Sequence, residues 1–244
     1  MKRFFIALRF LTVYPFGGDA EVTTDDLVGS AVYYPLVGVL IGLLLYGFWL
    51  WASTVWSTLL AAALTVTLWE LISAGLHLDG LMDTFDGLGV RGNLEKRLAV
   101  MKDSRVGAFG AQVLVLAMLL KILAVASLQT NPRLLIMAPL IGRTVMVAFM
   151  ATCAYARPSG GLGKIFVDAV GSTQLLLTSL LCLVLSFAVL GRQIIYLVPA
   201  VTVFFLILRC FFKINFGGVT GDLLGAACEL HELAVLLLAP FLFS

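Results

Sequence analysis

The chain has 244 residues, 61% hydrophobic and 12% charged, with a mean hydropathy of +1.06. An ordinary soluble domain is roughly 45–50% apolar and about 25% charged, so this composition excludes one and points to lipid. The formal net charge of +2 is too small to imply nucleic acid as a partner, and the basic residues are better explained by membrane topology.

Apolar segments run from residue 30 to the C-terminus without a linker, low-complexity stretch or internal repeat. They predict an all-α fold, a polytopic membrane helical bundle forming a single domain over residues 1–244. The start, Met1-Lys2-Arg3 before an apolar stretch, superficially resembles a signal peptide. Arg9 interrupts the run and no small-residue cleavage site follows, so the segment is expected to be retained. Phe4–Phe16 is too short to span and ends in Tyr14-Pro15, which predicts an interfacial helix followed by a polar loop over Gly17–Asp26. A bilayer core of about 30 Å needs about 20 apolar residues in a helix. Seven segments qualify: 30–51, 55–75, 111–129, 134–154, 175–190, 194–212 and 223–243.

Alternating these spans places Lys2, Arg3, Arg9, Arg91, Lys96, Arg97, Lys102, Arg105, Arg157, Lys164 and Lys213 on one side, and only Arg133 and Arg192 on the other. The positive-inside rule makes the first side cytoplasmic. Cys153, Cys182, Cys210 and Cys228 sit singly in apolar stretches, so they predict core thiols and neither disulfides nor zinc.

Just after the second predicted span, residues 77–87 read HLDGLMDTFDG. Asp79, Asp83 and Asp86 stand at i, i+4 and i+7, within an arc of about 60° on a helix. Like charges on one stripe repel, and a cation between them is the usual reason a chain tolerates this near a membrane. Oxygen-only ligands favour magnesium, calcium or manganese, and magnesium is the ordinary partner of phosphate chemistry. The plain alternative is a solvated acidic face, against which Leu78, Leu81, Met82 and Phe85 suggest a partly buried helix. His77 offers a general base or a donor to an aspartate, and equally a helix-end histidine bonded to backbone.

Residues 101–110, MKDSRVGAFG, place Lys102, Ser104 and Arg105 beside two glycines, a pattern suited to holding phosphate oxygens. Basic residues also flank cytoplasmic helix ends for insertion reasons alone. Residues 217–225, GGVTGDLLG, open the last span with Thr220 and Asp222 and lead to Glu229, His231 and Glu232. Asp222 and Glu229 share a helix face, with Glu229 about 10 Å deeper. Charges in an apolar span are functional candidates by default. Glu229 or Glu232 could instead pair with Lys121 or Arg143, and Glu70 carries the same ambiguity. The three motifs converge on the cytoplasmic side, as a site built at one end of a bundle requires.

At HLDGLMDTFDGL (77–88), MKDSRVGAFG (101–110) and GGVTGDLLGAACELHEL (217–233), supported by FLTVYPF (10–16) and YPLVGVLIG (34–42), the chain resembles the cobalamin synthase family, adenosylcobinamide-GDP ribazoletransferases, end to end. Many members have a residue other than histidine at position 231, which argues against a family-wide catalytic role for His231. The resemblance implies a late step of cobalamin biosynthesis. Adenosylcobinamide-GDP would be joined to alpha-ribazole or its 5′-phosphate, with magnesium as cofactor, giving adenosylcobalamin or its phosphate and GMP. On that basis Asp79, Asp83 and Asp86 become metal ligands, and Lys102, Ser104, Arg105, Lys164 and Thr220 bind substrate. Asp83, Asp222, Glu229 and His77 are the catalytic candidates, one of the last three taking the proton from the attacking hydroxyl. A bacterial or archaeal cytoplasmic membrane, a site facing the cytoplasm, and a homo-oligomer or association with other pathway enzymes are compatible with it.

Two rival readings remain at this stage. A CDP-alcohol phosphotransferase also uses spaced D-G aspartates, but its motif places an Ala-Arg pair where this chain has Leu81-Met82-Asp83 and no arginine before Arg91. A transporter would line an ion path with intramembrane charge, whereas these motifs cluster at one face.

Overall fold

The architecture is that of a computed structural model that describes residues 1–14, 21–128, 131–157 and 160–242. Among them every extended element is helical, and an isolated parallel bridge joins Tyr155 to Val219. Four stretches, Thr24–Val55, Ala108–Ala126, Leu134–Thr152 and Ser172–Phe216, are long and apolar enough to cross a bilayer. A bent pair, Thr58–Ile72 with Leu76–Gly89, adds a fifth if it is one span.

Helix α1 (Lys2–Leu11) is amphipathic: Ala7 and Leu11 are buried, and Phe10 meets Tyr34 and Phe166. It is strapped to α2 (Thr24–Ser30) by Asp26, which lies 2.5 Å from Lys2 and 3.7 Å from Arg3. Asp26 also closes a capping box with Thr23. The predicted interfacial helix therefore begins earlier and stops at Leu11, and its last two residues lie outside the described ones. The predicted polar loop ends early too, because Thr24 already opens a helix.

The packed centre is α8 (Leu134–Thr152), buried along almost its whole length against α3 (Tyr34–Val55). Gly38 and Gly42 permit that approach: a Cβ at Gly38 would stand 2.5 Å from the Pro139 carbonyl oxygen. Without a hydrophobic drive between helices in lipid, small residues at the seam give the backbone contact that holds such pairs. On the other flank, α10 (Ser172–Leu190) and α11 (Ile194–Phe216) are separated at Gly191, whose φ of 57° ends the first helix. Arg209 donates to the Thr152 carbonyl at 2.9 Å, which ties α11 to the end of α8.

The second predicted span differs from expectation. Helix α4 (Thr58–Ile72) stops at Ser73–Gly75, and α5 (Leu76–Gly89) leaves at 90°. Two successive residues with positive φ, Ala74 at 52° and Gly75 at 64°, cannot continue a right-handed helix. The acidic motif is on a helix, as its spacing predicts, and that helix is the second limb of a broken apolar segment. After the short α6 (Leu94–Val100), α7 (Ala108–Ala126) returns antiparallel to α5, with Gly110 on the Met82 carbonyl. Helices α9 (Leu162–Ala169) and α12 (Gly221–Leu242) complete the chain.

Candidate active site

Helices α5 and α12 run antiparallel at backbone contact. Gly80 faces the Asp222 backbone and Gly225 faces that of His77. This crossing brings the first and third sequence motifs together. Asp222, in the first turn of α12, and Asp79 both lie within electrostatic reach of Asp83, and Asp86 does so more weakly. Thr220 sets the start of α12: its hydroxyl accepts the Leu223 N–H at 3.2 Å and stands 3.5 Å from an Asp222 oxygen.

Asp86 is diverted from the stripe that its spacing predicts. Its two oxygens accept the N–H groups of Gly107 at 2.8 Å and Gly110 at 2.7 Å, so it caps α7 from another helix. First-turn N–H groups have no intrahelical acceptor, and a carboxylate is their strongest partner. The side chains of Asp79 and Asp83 accept no hydrogen bond among the described residues, Asp79 being exposed and Asp83 half-buried. No three acidic, imidazole or thiol groups converge there tightly enough to form a metal centre from protein alone. The donor chemistry nevertheless suits a hard cation. Magnesium usually takes one or two carboxylates and fills its remaining positions with water and substrate phosphate, and Asp79 and Asp83 fit that pattern with Asp222 beside them.

Arg157 is the site-lining residue that sequence reasoning passed over, counting it only as a basic flank. Its guanidinium donates to Asp222 at 2.5 Å and to the Met101 carbonyl at 3.3 Å, tying the acidic cluster to the 101–107 turn. The bridge at Tyr155 and Val219 delivers it: Val219 N–H donates to Ala154 O, and Ala156 N–H to Val219 O, each at 2.9 Å. The available signal was Arg157 preceding Pro158, since a residue before proline is biased to extended backbone.

The remaining candidates separate by position. Lys102, Ser104 and Arg105 are exposed on the turn before α7. Arg105 forks onto Asp103, with contacts from 2.6 to 3.1 Å, and holds that carboxyl down at about 2. Lys164 stands on α9, whose Gly163 packs on Gly221, and its ammonium pairs with Asp168 one turn on.

Glu229 and His77 are placed in the interior and not beside Asp222. Lys121 donates to Glu70 at 2.8 Å and to Glu229 and Glu232 at 2.9 Å, while Arg143 pairs with Glu232 and lies 3.4 Å from His77 Nδ1. The pairing read from sequence as the structural option for Glu229 and Glu232 is the one present. His231 is buried near Phe149 and Phe204 and bonds its own helix at Ala227 O.

The family described as cobalamin-5-phosphate synthase matches residues 3–240. An adenosylcobinamide-GDP ribazoletransferase of Geotalea daltonii is 36% identical over 238 residues, covering 97% of this chain and 96% of that protein. Proteins of the same name are 40% identical in Pseudomonas fluorescens strain SBW25 and 41% in Pseudomonas putida strain GB-1, each match covering 97% of this chain and 98% of the relative. No solved structure matches the chain. With a family match over nearly its whole length and relatives above a third identical, the chain belongs to the cobalamin-5-phosphate synthase family.

Proposed function

We propose that this chain is a membrane-embedded adenosylcobinamide-GDP ribazoletransferase whose reaction takes place where α5 meets α12. The observation that carries this reading is the convergence of Asp79, Asp83 and Asp222 at one end of the bundle, against which the structure sets Arg157. A hydroxyl of alpha-ribazole, or of its 5′-phosphate, attacks the phosphorus bearing the cobinamide aminopropanol. A new P–O bond forms, the diphosphate bridge breaks, and GMP leaves with the bridging oxygen.

Such transfers need mainly positioning and charge stabilisation. Asp79 and Asp83 would hold a divalent cation, Mg2+ in this reading, which would supply charge neutralisation for the departing phosphate. Asp222 takes the proton of the attacking hydroxyl, and Arg157 fixes that carboxylate in place. Arg105, Lys102 and Ser104 meet the phosphates from the turn before α7.

The site end faces the cytoplasm, because the basic residues lie there and only Arg133 and Arg192 flank the opposite turns. The alternative of a CDP-alcohol phosphotransferase loses to a family match that runs over residues 3–240.

Purified protein in detergent, given adenosylcobinamide-GDP and alpha-ribazole phosphate, is expected to release GMP in step with cobalamin phosphate. Chelation should stop the reaction and Mg2+ restore it. Asp83→Asn should lose turnover by at least about 10²-fold while keeping its elution profile, since neutralising one carboxylate of a repelling cluster relieves repulsion. Full activity of Asp83→Asn at saturating Mg2+ would refute the metal assignment, and absence of GMP release by the parent would refute the reaction.

A further inference from the structure

The turn before α7 has a chemistry that the acidic cluster does not use. A cavity of about 500 Å³ opens there, bordered by Asp86 and lined by Asp103, Arg105, Gly107, Ala108 and Phe109. That volume lies within the range of small-ligand sites. Its walls offer three unlike groups. Phe109 is 42% exposed and is braced edge-on by Phe85, at 5.8 Å and 75°, so a flat apolar ring faces outward. Asp86 already takes the N–H groups of Gly107 and Gly110, which leaves the first-turn donors of Ala108 and Phe109 for an anion. Asp103 presents a carboxylate that Arg105 keeps ionised.

We propose that this cavity is the guanosine subsite of the donor substrate, with Asp103 reading the Watson–Crick edge of guanine, Phe109 stacking on the base, and Arg105 with the start of α7 holding the adjoining phosphate. The inference rests on the ribazoletransferase reading for the identity of the leaving nucleotide. Guanine presents two neighbouring donors, N1–H and the 2-amino group, which the two oxygens of one carboxylate accept in parallel. Adenine presents a lone pair at N1 and would face that carboxylate with like charge density. Stacking on Phe109 accepts any base, so the selection falls to Asp103.

In the unliganded protein Arg105 occupies Asp103, but the Arg105 side chain is 87% exposed, and an exposed pair of this kind is readily exchanged. The guanidinium then turns from carboxylate to phosphate, for which its fork is equally suited. Asp86 both borders this cavity and lies near Asp83. A diphosphate entering past Asp86 therefore leads from the nucleoside to the proposed metal.

Asp103→Asn supplies the test. The amide replaces one acceptor with a donor, which opposes guanine and suits xanthine, whose 2-position is a carbonyl. Binding of free GDP and XDP to parent and variant protein in detergent is measured by calorimetry, a readout independent of turnover. The parent should prefer GDP, and Asp103→Asn should weaken GDP binding about 10- to 100-fold while improving XDP, in line with the discrimination of one bidentate base contact. Asp103→Ala should lose the preference without gaining XDP, and Phe109→Ala should weaken both nucleotides alike. If Asp103→Asn keeps the parental preference for GDP over XDP, the subsite is refuted. If the parent binds and discriminates these nucleotides yet releases no GMP in the presence of alpha-ribazole phosphate, the subsite stands and the reaction reading falls.

Discussion

Gly80→Ala tests whether the backbone contact between α5 and α12 sets the catalytic geometry. A Cβ at position 80 would stand 2.5 Å from the Asp222 carbonyl oxygen and 3.0 Å from its Cα, whereas ordinary contact begins near 3.4 Å. The helices must separate by 3.4 − 2.5, about 0.9 Å, because both sides of the contact are backbone and no flexible side chain can yield. Alanine gains up to about 1 kcal/mol of helix propensity over glycine, while overpacking of this kind costs about 1–3 kcal/mol, so a modest loss of stability is expected. The larger effect is on the reaction. Asp79 and Asp83 ride on one helix and Asp222 on the other, and a displacement of about 1 Å between reacting groups can cost about 10²-fold in rate. GMP release should therefore show kcat reduced about 10²-fold, with KM for adenosylcobinamide-GDP nearly unchanged and the melting temperature in detergent only slightly lower. Gly47→Ala is the control, since nothing lies within 4 Å of a Cβ there, and it should match the parent. A Gly80→Ala protein that keeps parental kcat would show that the spacing of α5 and α12 does not govern the chemistry.

Three further outcomes follow from the same geometry. Arg157→Lys keeps the charge but puts it on a shorter stem, out of reach of the two acceptors that Arg157 Nη2 serves together, Asp222 and the Met101 carbonyl, so kcat should fall about tenfold or more, as for a lost charged hydrogen bond; parental kinetics would remove Arg157 from the site. Lys121→Met leaves Glu70, Glu229 and Glu232 with Arg143 as their remaining cation in the network, which should cost about 3–5 kcal/mol in unfolding measured in detergent. Adding Glu229→Met should recover part of that loss, and a single variant as stable as the parent would refute the network's role. A cysteine introduced at Pro132 should be labelled from the periplasmic side and one at Asn93 should not; the reverse pattern would invert the proposed orientation.

Helical periodicity was legible in the sequence where neighbours along one helix decide the outcome. The i, i+4 relation correctly places Asp79 and Asp83 on one face of α5. Asp86 obeys the same arithmetic and is drawn off by N–H groups of α7, which stand 21 and 24 residues away and leave no mark on local periodicity. The pairing of Arg157 with Asp222 spans 65 residues and is equally invisible. The predicted second span ends at residue 75, close to the observed break, but apolar composition says nothing of φ, so neither the turn through Ala74 and Gly75 nor the 90° departure of α5 could be read from it. Glu229 and Asp222 do share a face of α12, as their spacing of seven predicts. Depth separates them: one meets Lys121 inside the bundle and the other meets Arg157 at its end.

That separation bears on what each set of charges is for. In the interior, the ammonium of Lys121 donates to three carboxylates, and Arg143 reinforces one of them, so the network is closed on itself. At the end of the bundle, Asp79, Asp83 and Asp222 face one another with Arg157 attached to the last. A diphosphate approaching such a cluster adds like charge, and two unit charges 4 Å apart repel by about 4 kcal/mol at an effective dielectric near 20. The substrate of the proposed reaction would be turned away unless a cation bridged it to the carboxylates. Magnesium held by one or two carboxylates keeps positions open for phosphate oxygens, which fits a site where no three protein ligands converge among the described residues. In the proposed reaction Asp79 and Asp83 would hold such a cation, and its charge would offset the repulsion between their carboxylates and the incoming diphosphate.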